Sequence, residues 1–290
     1  MKYDEPLYRP PSEARSTILQ VTLGCSWNRC LFCGMYKSKT FTVRPFEDFA
    51  ADVREMAKIK PQTTRIFLAD GDALTLDTDY LVKVLELLNE AFPKVERISS
   101  YAGPTNLARK TVEELKTLKA LKLERLYIGL ETGDDNLLKR IHKGTDSIGF
   151  AEGCIKAKEA GMLLSTILLL GIGGVEGSYE HAKASARMVN AIDPQYLACL
   201  TLMLGPYQKM YENDIMGGGF KLPDKLGTLK ELRWLVEDLN LSNCRFGTEH
   251  ASNYLPISGT LPEDKQKILN LIDRACVDSG LLRPEWQRGV

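Results

Sequence analysis

A chain of 290 residues suits one large core, or one domain with a small extension, and 44% hydrophobic with 26% charged residues is ordinary for a globular protein. Lys plus Arg and Asp plus Glu number 38 each, so net charge gives no argument for binding nucleic acid or a membrane surface. The longest apolar stretch, 162–175, contains Ser165, Thr166 and three glycines and is too short to span a bilayer. Seven cysteines is an odd number and no secretory signal precedes them, which argues against a disulfide framework and for a reducing cytoplasm.

In chain order, residues 1–15 carry Pro6, Pro10 and Pro11 and predict an extended lead-in that docks on the domain after it. Short β-rich runs follow at 18–23, 65–69, 95–100, 125–130, 163–170 and 195–202. Between them lie helical patterns: Phe46, Phe49, Val53 and Met56 recur at three- and four-residue spacing, as do Leu81, Val84, Leu85 and Leu88. Thr111-Val-Glu-Glu114 is a capping box, and Gly161 is placed to end the helix before it. A helix over 228–240, a short strand at 244–248 and a last helix over 263–278 complete the chain, with Met216-Gly-Gly-Gly-Phe220 as a flexible insertion, a lid or a plain surface loop. Strand–helix alternation predicts an α/β fold with a parallel sheet. An open doubly wound sheet would show the same alternation. Polar and glycine-rich residues at each strand's C-terminal end favour a partial (β/α)6 barrel of the TIM type, where active sites sit. The expected division is a lead-in over 1–15, a core barrel over 16–212 and a closing extension over 213–290.

The most informative feature follows the first strand. Cys25, Cys30 and Cys33 lie within nine residues at C-x4-C-x2-C spacing, so one loop can bring three thiolates to one metal centre. A structural zinc site wants four ligands, and His142, His181, His250 and Cys154 are all distant in sequence. A [4Fe–4S] cluster held by three cysteines leaves one iron without a protein ligand. An open metal position usually signals chemistry.

With Phe32 before the third cysteine and the apolar run Ile18–Leu23 before the first, the loop resembles that of the radical S-adenosylmethionine (SAM) superfamily. Tyr127-Ile-Gly-Leu-Glu-Thr-Gly133 and Leu137-Leu-Lys-Arg-Ile-His-Lys-Gly144 resemble a stretch shared by the methylthiotransferase and coproporphyrinogen dehydrogenase-like branches. Arg9-Pro-Pro-Ser-Glu-Ala-Arg15 and His250-Ala-Ser-Asn-Tyr-Leu-Pro256 are similar to segments of small proteins of that branch.

The resemblance implies two cofactors, a [4Fe–4S] cluster on Cys25, Cys30 and Cys33, and SAM chelating the fourth iron. It implies reductive cleavage of SAM to a 5′-deoxyadenosyl radical, which abstracts hydrogen from substrate. By the same resemblance Phe32 packs beside the adenine, and Gly71 and Asp72 receive the methionyl ammonium. Here Asp70 replaces the family's first glycine and Asp72 its glutamate. Tyr101 or Ser99 reaches the ribose, Glu131 faces the nucleoside, Lys143 meets the SAM carboxylate, and Gly171 lets backbone approach the adenine. His250 and Asn253 either contact substrate or latch the barrel. Cys154, Cys199, Cys244 and Cys276 stand singly and read as small core hydrophobes. With no second cluster motif and no basic appendix, a small organic substrate is preferred over RNA, with an electron donor such as flavodoxin or ferredoxin as partner. The competing reading is a non-catalytic iron–sulfur or zinc protein.

Overall fold

The computed structural model describes residues 2–289. They divide into two compact units, the first comprising 1–29, 33–128 and 152–164, the second 30–32, 129–151 and 165–290.

In the first unit, β1 (Thr17–Gln20), β4 (Arg65–Ala69), β5 (Arg97–Tyr101) and the start of β6 (Leu123–Glu131) are hydrogen-bonded side by side and run parallel. A small antiparallel pair, β2 (Thr22–Leu23) with β3 (Thr42–Val43), brackets the cysteine loop. Helices α1 (Phe46–Ile59), α2 (Thr78–Ala91), α3 (Pro104–Arg109) and α4 (Val112–Ala120) link the strands. The spacing that predicts α1 and α2 is what they bury: Phe49, Val53 and Met56 on one, Leu81, Val84, Leu85 and Leu88 on the other. All four residues of β1 are buried, as a parallel strand covered on both faces requires. Thr111 and Glu114 form the expected capping box, and Gly161 adopts φ +80° after the helix it follows.

The first residues pack on the sheet. Tyr3 and Leu7 pack with Ile18, Phe67, Ala69 and Tyr127, and the Tyr3 hydroxyl donates to the Ile18 carbonyl at 3.0 Å. Glu13, fully buried, accepts from Arg97 Nη2 at 2.8 Å and from the Tyr127 hydroxyl at 2.7 Å.

In the second unit, α5 (Asp135–Arg140) and the start of α6 (Ser147–Glu159) follow the end of β6. Strands β7 (Leu163–Leu170), β8 (Tyr196–Thr201) and β9 (Cys244–Gly247) run parallel, and β10 (Ser258–Leu261) closes antiparallel on β9. That last strand, four residues of Ser-Gly-Thr-Leu, is too short to show a period and is not anticipated by the sequence. Helix α7 (Gly174–Ile192) packs on α9 (Lys225–Asp238), which also packs on α10 (Lys265–Val277); a single turn, α8 (Gln208–Met210), precedes the glycine insertion. That insertion is pinned at its end: the Phe220 ring lies edge-on to Tyr211 at 5.1 Å and against Gly174, where a Cβ would stand 2.8 Å from it. The strand–helix order is that of the expected partial (β/α)6 barrel. Among the described residues, no helix is long and apolar enough to cross a membrane.

Candidate functional site

The cysteine loop, 24–34, is free of helix and strand, so gathering its thiols around a metal disrupts no backbone ladder. All three are half-buried and outside any disulfide, and among the described residues no three His, Cys, Asp or Glu side chains are gathered closely enough to hold a metal.

The base of the loop is held by Asp70. Its carboxylate, without solvent exposure, accepts from Gln20 Nε2 at 3.0 Å, the Gly24 amide at 2.9 Å and Lys39 Nζ at 2.9 Å. One side chain just after β4 thus ties β1, the first residue of the loop and the segment leading from it into β3. The sequence shows Asp70 only as a substitute for a glycine; its clamping role rests on partners that are distant in the chain.

Gly71 donates its amide to the Gly24 carbonyl at 3.0 Å, and a Cβ there would stand 2.9 Å from the Cys25 Cβ and 3.0 Å from the Tyr36 ring. No larger residue fits without moving the first cysteine. Next to it, Asp72 is buried. Its Oδ2 accepts from Asn106 Nδ2 at 2.6 Å and from the Ser26 hydroxyl at 3.0 Å, while Oδ1 has no hydrogen-bond partner. Burial pushes the Asp72 carboxyl up from its ordinary range, and the donors around it oppose that only in part. A buried carboxylate oxygen left without a donor is costly. The buried hydroxyls of Tyr36 and Ser99 are likewise unpartnered, whereas Tyr101 packs edge-on to Phe67 at 5.2 Å and burial raises its phenol.

In the second unit, β6 ends on Glu131 at φ +67°, a left-handed conformation that a non-glycine residue adopts only when its surroundings impose it. Its Oε1 accepts from Lys143 Nζ at 2.8 Å, with both side chains about nine-tenths buried. A Cβ on Gly129 would overlap that carboxylate, which explains the glycine of Ile128-Gly-Leu-Glu131. Lys143 Nζ also stands 5.7 Å from the centre of the Phe32 ring and 6.0 Å from that of Phe150. The Leu31 amide donates to the Ile141 carbonyl at 3.0 Å, tying the middle of the cysteine loop to the end of α5. Phe32, Glu131 and Lys143, separated by up to 111 positions in sequence, therefore form one cluster.

Residues 19–184 match the family profile described as the Radical SAM superfamily, more than half of the chain. The chain belongs to the radical SAM superfamily. A [4Fe–4S] cluster and SAM are the cofactors of that family, and the three-cysteine loop supplies the donors it requires. Over 168 residues the chain is 27% identical to the heme chaperone HemW of Bacillus subtilis (strain 168), an alignment that covers 57% of this chain and 43% of HemW. The fold resembles that of coproporphyrinogen III oxidase (HemN) from Escherichia coli, with a TM-score of 0.57 and 16% identity over 77% of this chain and 51% of that one. It also resembles methylornithine synthase (PylB), with a TM-score of 0.52 and 17% identity over 78% of this chain and 63% of PylB. The chain thus spans less than two thirds of the length of each of these relatives.

For this radical SAM chain, the remaining expected residues divide sharply. Gly171 ends β7 at φ +84°, with its amide donated to Glu231 Oε1 at 2.7 Å. Asn253 is buried and fully engaged: Nδ2 donates to the Cys199 carbonyl at 2.7 Å and the Thr248 carbonyl at 3.0 Å, while Oδ1 accepts from the Thr201 hydroxyl at 2.9 Å. His250 Nδ1 pairs with the Ser252 hydroxyl at 2.9 Å, and the His250 carbonyl accepts from Arg283 Nη1 at 2.9 Å. These bonds tie the 250–253 run to β8 and to Arg283. No signal near Glu231 in the sequence points to its contact with Gly171.

Proposed function

We propose that this chain is a single-cluster radical SAM enzyme, with Cys25, Cys30 and Cys33 as ligands of three irons of a [4Fe–4S] cluster and the fourth iron left to SAM. The observation that carries the reading is the unpartnered Oδ1 of buried Asp72, one residue from the glycine packed on Cys25. When bound, the cluster supplies the electron that cleaves SAM to methionine and a 5′-deoxyadenosyl radical, which takes hydrogen from a small organic substrate.

The chain's own residues bind and orient. Asp72 accepts from the methionyl ammonium through Oδ1, while Asn106 and Ser26 fix the carboxylate through Oδ2. Gly71 leaves room for the approach, and Tyr101 or Ser99 contacts the ribose. Phe32 covers the adenine, Gly171 brings backbone close to it, Glu131 faces the nucleoside and Lys143 meets the SAM carboxylate. Because Glu131 and Lys143 are paired with each other, SAM has to share or exchange that ion pair. A flavodoxin or ferredoxin would deliver the electron. Asn253 acts as a latch, since its side-chain amide already has three protein partners, and His250 is held beside it through Nδ1 and its carbonyl.

The likeness to a heme chaperone favours one second reading, in which the same two cofactors serve a carrier that does not turn over. One experiment separates the two. Anaerobically reconstituted protein should hold about four irons and four sulfides, as one cubane does. Reduced in the presence of SAM, the enzyme should release methionine and 5′-deoxyadenosine. Stoichiometric heme binding without that release establishes the carrier instead. Tetrahedral zinc in protein purified without oxygen refutes both.

A further inference from the structure

Behind the ends of β6 and β7, the second unit encloses a chain of polar groups with no outlet to solvent. Glu231 lies on α9, whose neighbours Arg233 and Glu237 face outward and pair with each other and, for Arg233, with Asp273 of α10. Glu231 instead points inward and has no solvent exposure. Its Oε1 accepts the Gly171 amide at 2.7 Å, its Oε2 is bonded to the Ser178 hydroxyl of α7, and His181 Nε2 stands 3.5 Å from Oε1. The other face of the same imidazole meets the strand before: His181 Nδ1 is 2.8 Å from the Thr132 hydroxyl. Ser185, one turn along α7, takes the Gly133 amide at 2.9 Å.

An isolated buried carboxylate is costly, and so is a buried imidazole. Here each satisfies backbone or hydroxyl groups on a different strand end. Thr132 and Gly133 directly follow Glu131, and Gly171 is the glycine at the end of β7. We infer that Glu231 and His181 form an internal lock whose task is to hold the 131–133 and 171–174 segments in register for SAM, acting as positioning residues. This inference rests on the proposed SAM site for its purpose, and on the hydrogen bonds alone for its existence.

The lock carries one titratable proton near neutrality. Burial pushes the Glu231 carboxyl up to about 7 and the His181 imidazole down to about 4. Among the described residues, the other titratable side chain that feels Glu231 is the buried Cys199 thiol of β8, itself raised by burial. At pH 8 Glu231 is a carboxylate, accepting from the Gly171 amide and the Ser178 hydroxyl, and a neutral His181 with its proton on Nε2 stands 3.5 Å from Oε1. The Thr132 hydroxyl then donates to Nδ1. Protonation of Glu231 turns one of these acceptors into a donor and weakens the hold on Gly171.

Two measurements test this. Hydrogen exchange followed by mass spectrometry reads the lock itself, without any cofactor. Glu231→Ala should accelerate exchange in peptides covering 169–174 and 131–136 at least tenfold, whereas Leu232→Ala, a buried cavity control on the same helix, should not do so selectively. Calorimetry on cluster-loaded protein reads its purpose. Wild-type SAM affinity should fall between pH 8 and pH 6. Glu231→Gln should bind at the wild-type pH 6 level and lose the pH dependence. Glu231→Ala should bind at least tenfold more weakly at every pH. Equal exchange in Glu231→Ala and Leu232→Ala overturns the lock. Unchanged SAM affinity in Glu231→Ala, with wild-type protein binding normally, overturns its positioning role. Failure of the wild type to bind SAM overturns the functional reading and leaves the exchange result standing.

Discussion

Replacing Asp72 by Asn or by Ala separates what its two oxygens do. Oδ2 accepts from Asn106 at 2.6 Å and Ser26 at 3.0 Å, and Oδ1 has no partner. In Asp72→Asn the amide oxygen can take the Oδ2 position and keep both donors satisfied. The amide nitrogen then replaces Oδ1, presenting a donor where the methionyl ammonium needs an acceptor. Stability should not fall. The folded-state carboxyl is raised by burial, so its ionisation destabilises the fold as pH climbs past the ordinary carboxylate range, and a neutral isostere removes that penalty. Melting at pH 8 should therefore occur at or above the wild-type temperature. SAM affinity should drop by roughly 1.5–3 kcal/mol, the worth of a hydrogen bond to a charged group, or about 10- to 150-fold in Kd. Asp72→Ala differs: it removes the acceptor of two part-buried donors, about 0.5–1.5 kcal/mol each, and should lose both stability and SAM. The assay is thermal melting paired with anaerobic calorimetry on all three proteins. Wild-type SAM affinity in Asp72→Asn would refute the assignment of Oδ1 as the ammonium acceptor.

Four further outcomes are expected. Alanine at Cys25, Cys30 or Cys33 should abolish cluster iron, whereas Cys199→Ser should keep iron and cost about 1–3 kcal/mol for a buried hydroxyl, as chemical analysis and denaturation will show. Glu131→Ala leaves Lys143 as a buried charge without its carboxylate and should cost about 3–5 kcal/mol in urea unfolding, beyond its effect on SAM. Asn253→Ala should lower stability by about 2–4 kcal/mol by stranding the Cys199 and Thr248 carbonyls, with cluster iron unchanged; normal stability together with lost substrate conversion would restore it as a substrate contact. The pH profile of stability isolates Glu231 from His181. A carboxyl raised to about 7 favours the fold at low pH, and an imidazole lowered to about 4 favours it at high pH, so the two nearly cancel between pH 5 and 6.5. Glu231→Gln leaves only the imidazole, and its stability should fall by about 2 kcal/mol as pH drops through that window.

The parallel strands and the cysteine loop were legible because each is written locally. A strand shows its run of apolar residues, and a three-thiolate metal site needs one residue type at close spacing. Helices α1 and α2 were legible for the same reason, since the residues they bury recur every third or fourth position. The supports of the site were not. Asp70 reads as a lost glycine until Gln20, Gly24 and Lys39 are seen around it. Glu231 sits 60 residues from Gly171 and 53 from Ser178, in a helix whose other charges face water, and no periodicity marks one glutamate as the inward one. Asn253 stood out as polar, but polarity alone does not tell a ligand contact from a latch. Its three bonded partners favour the latch.

The docked lead-in sets an order in time. Ser12 and Glu13 are held by the hydroxyl of Tyr127, a residue 115 and 114 positions downstream. On the ribosome, the early part of the arm finds its partners nearby in the chain, Tyr3 on Ile18 and Asp4 on Gln20 and Lys39, whereas Ser12 and Glu13 wait for Tyr127 until β6 has been synthesised and paired with β5. The Ser12–Glu13 end of the arm thus settles only after β6 is in place. A bulky fusion placed ahead of the arm would act on this late step, and would leave a unit whose strands are formed but whose inner aromatic face remains open to proteases and to aggregation.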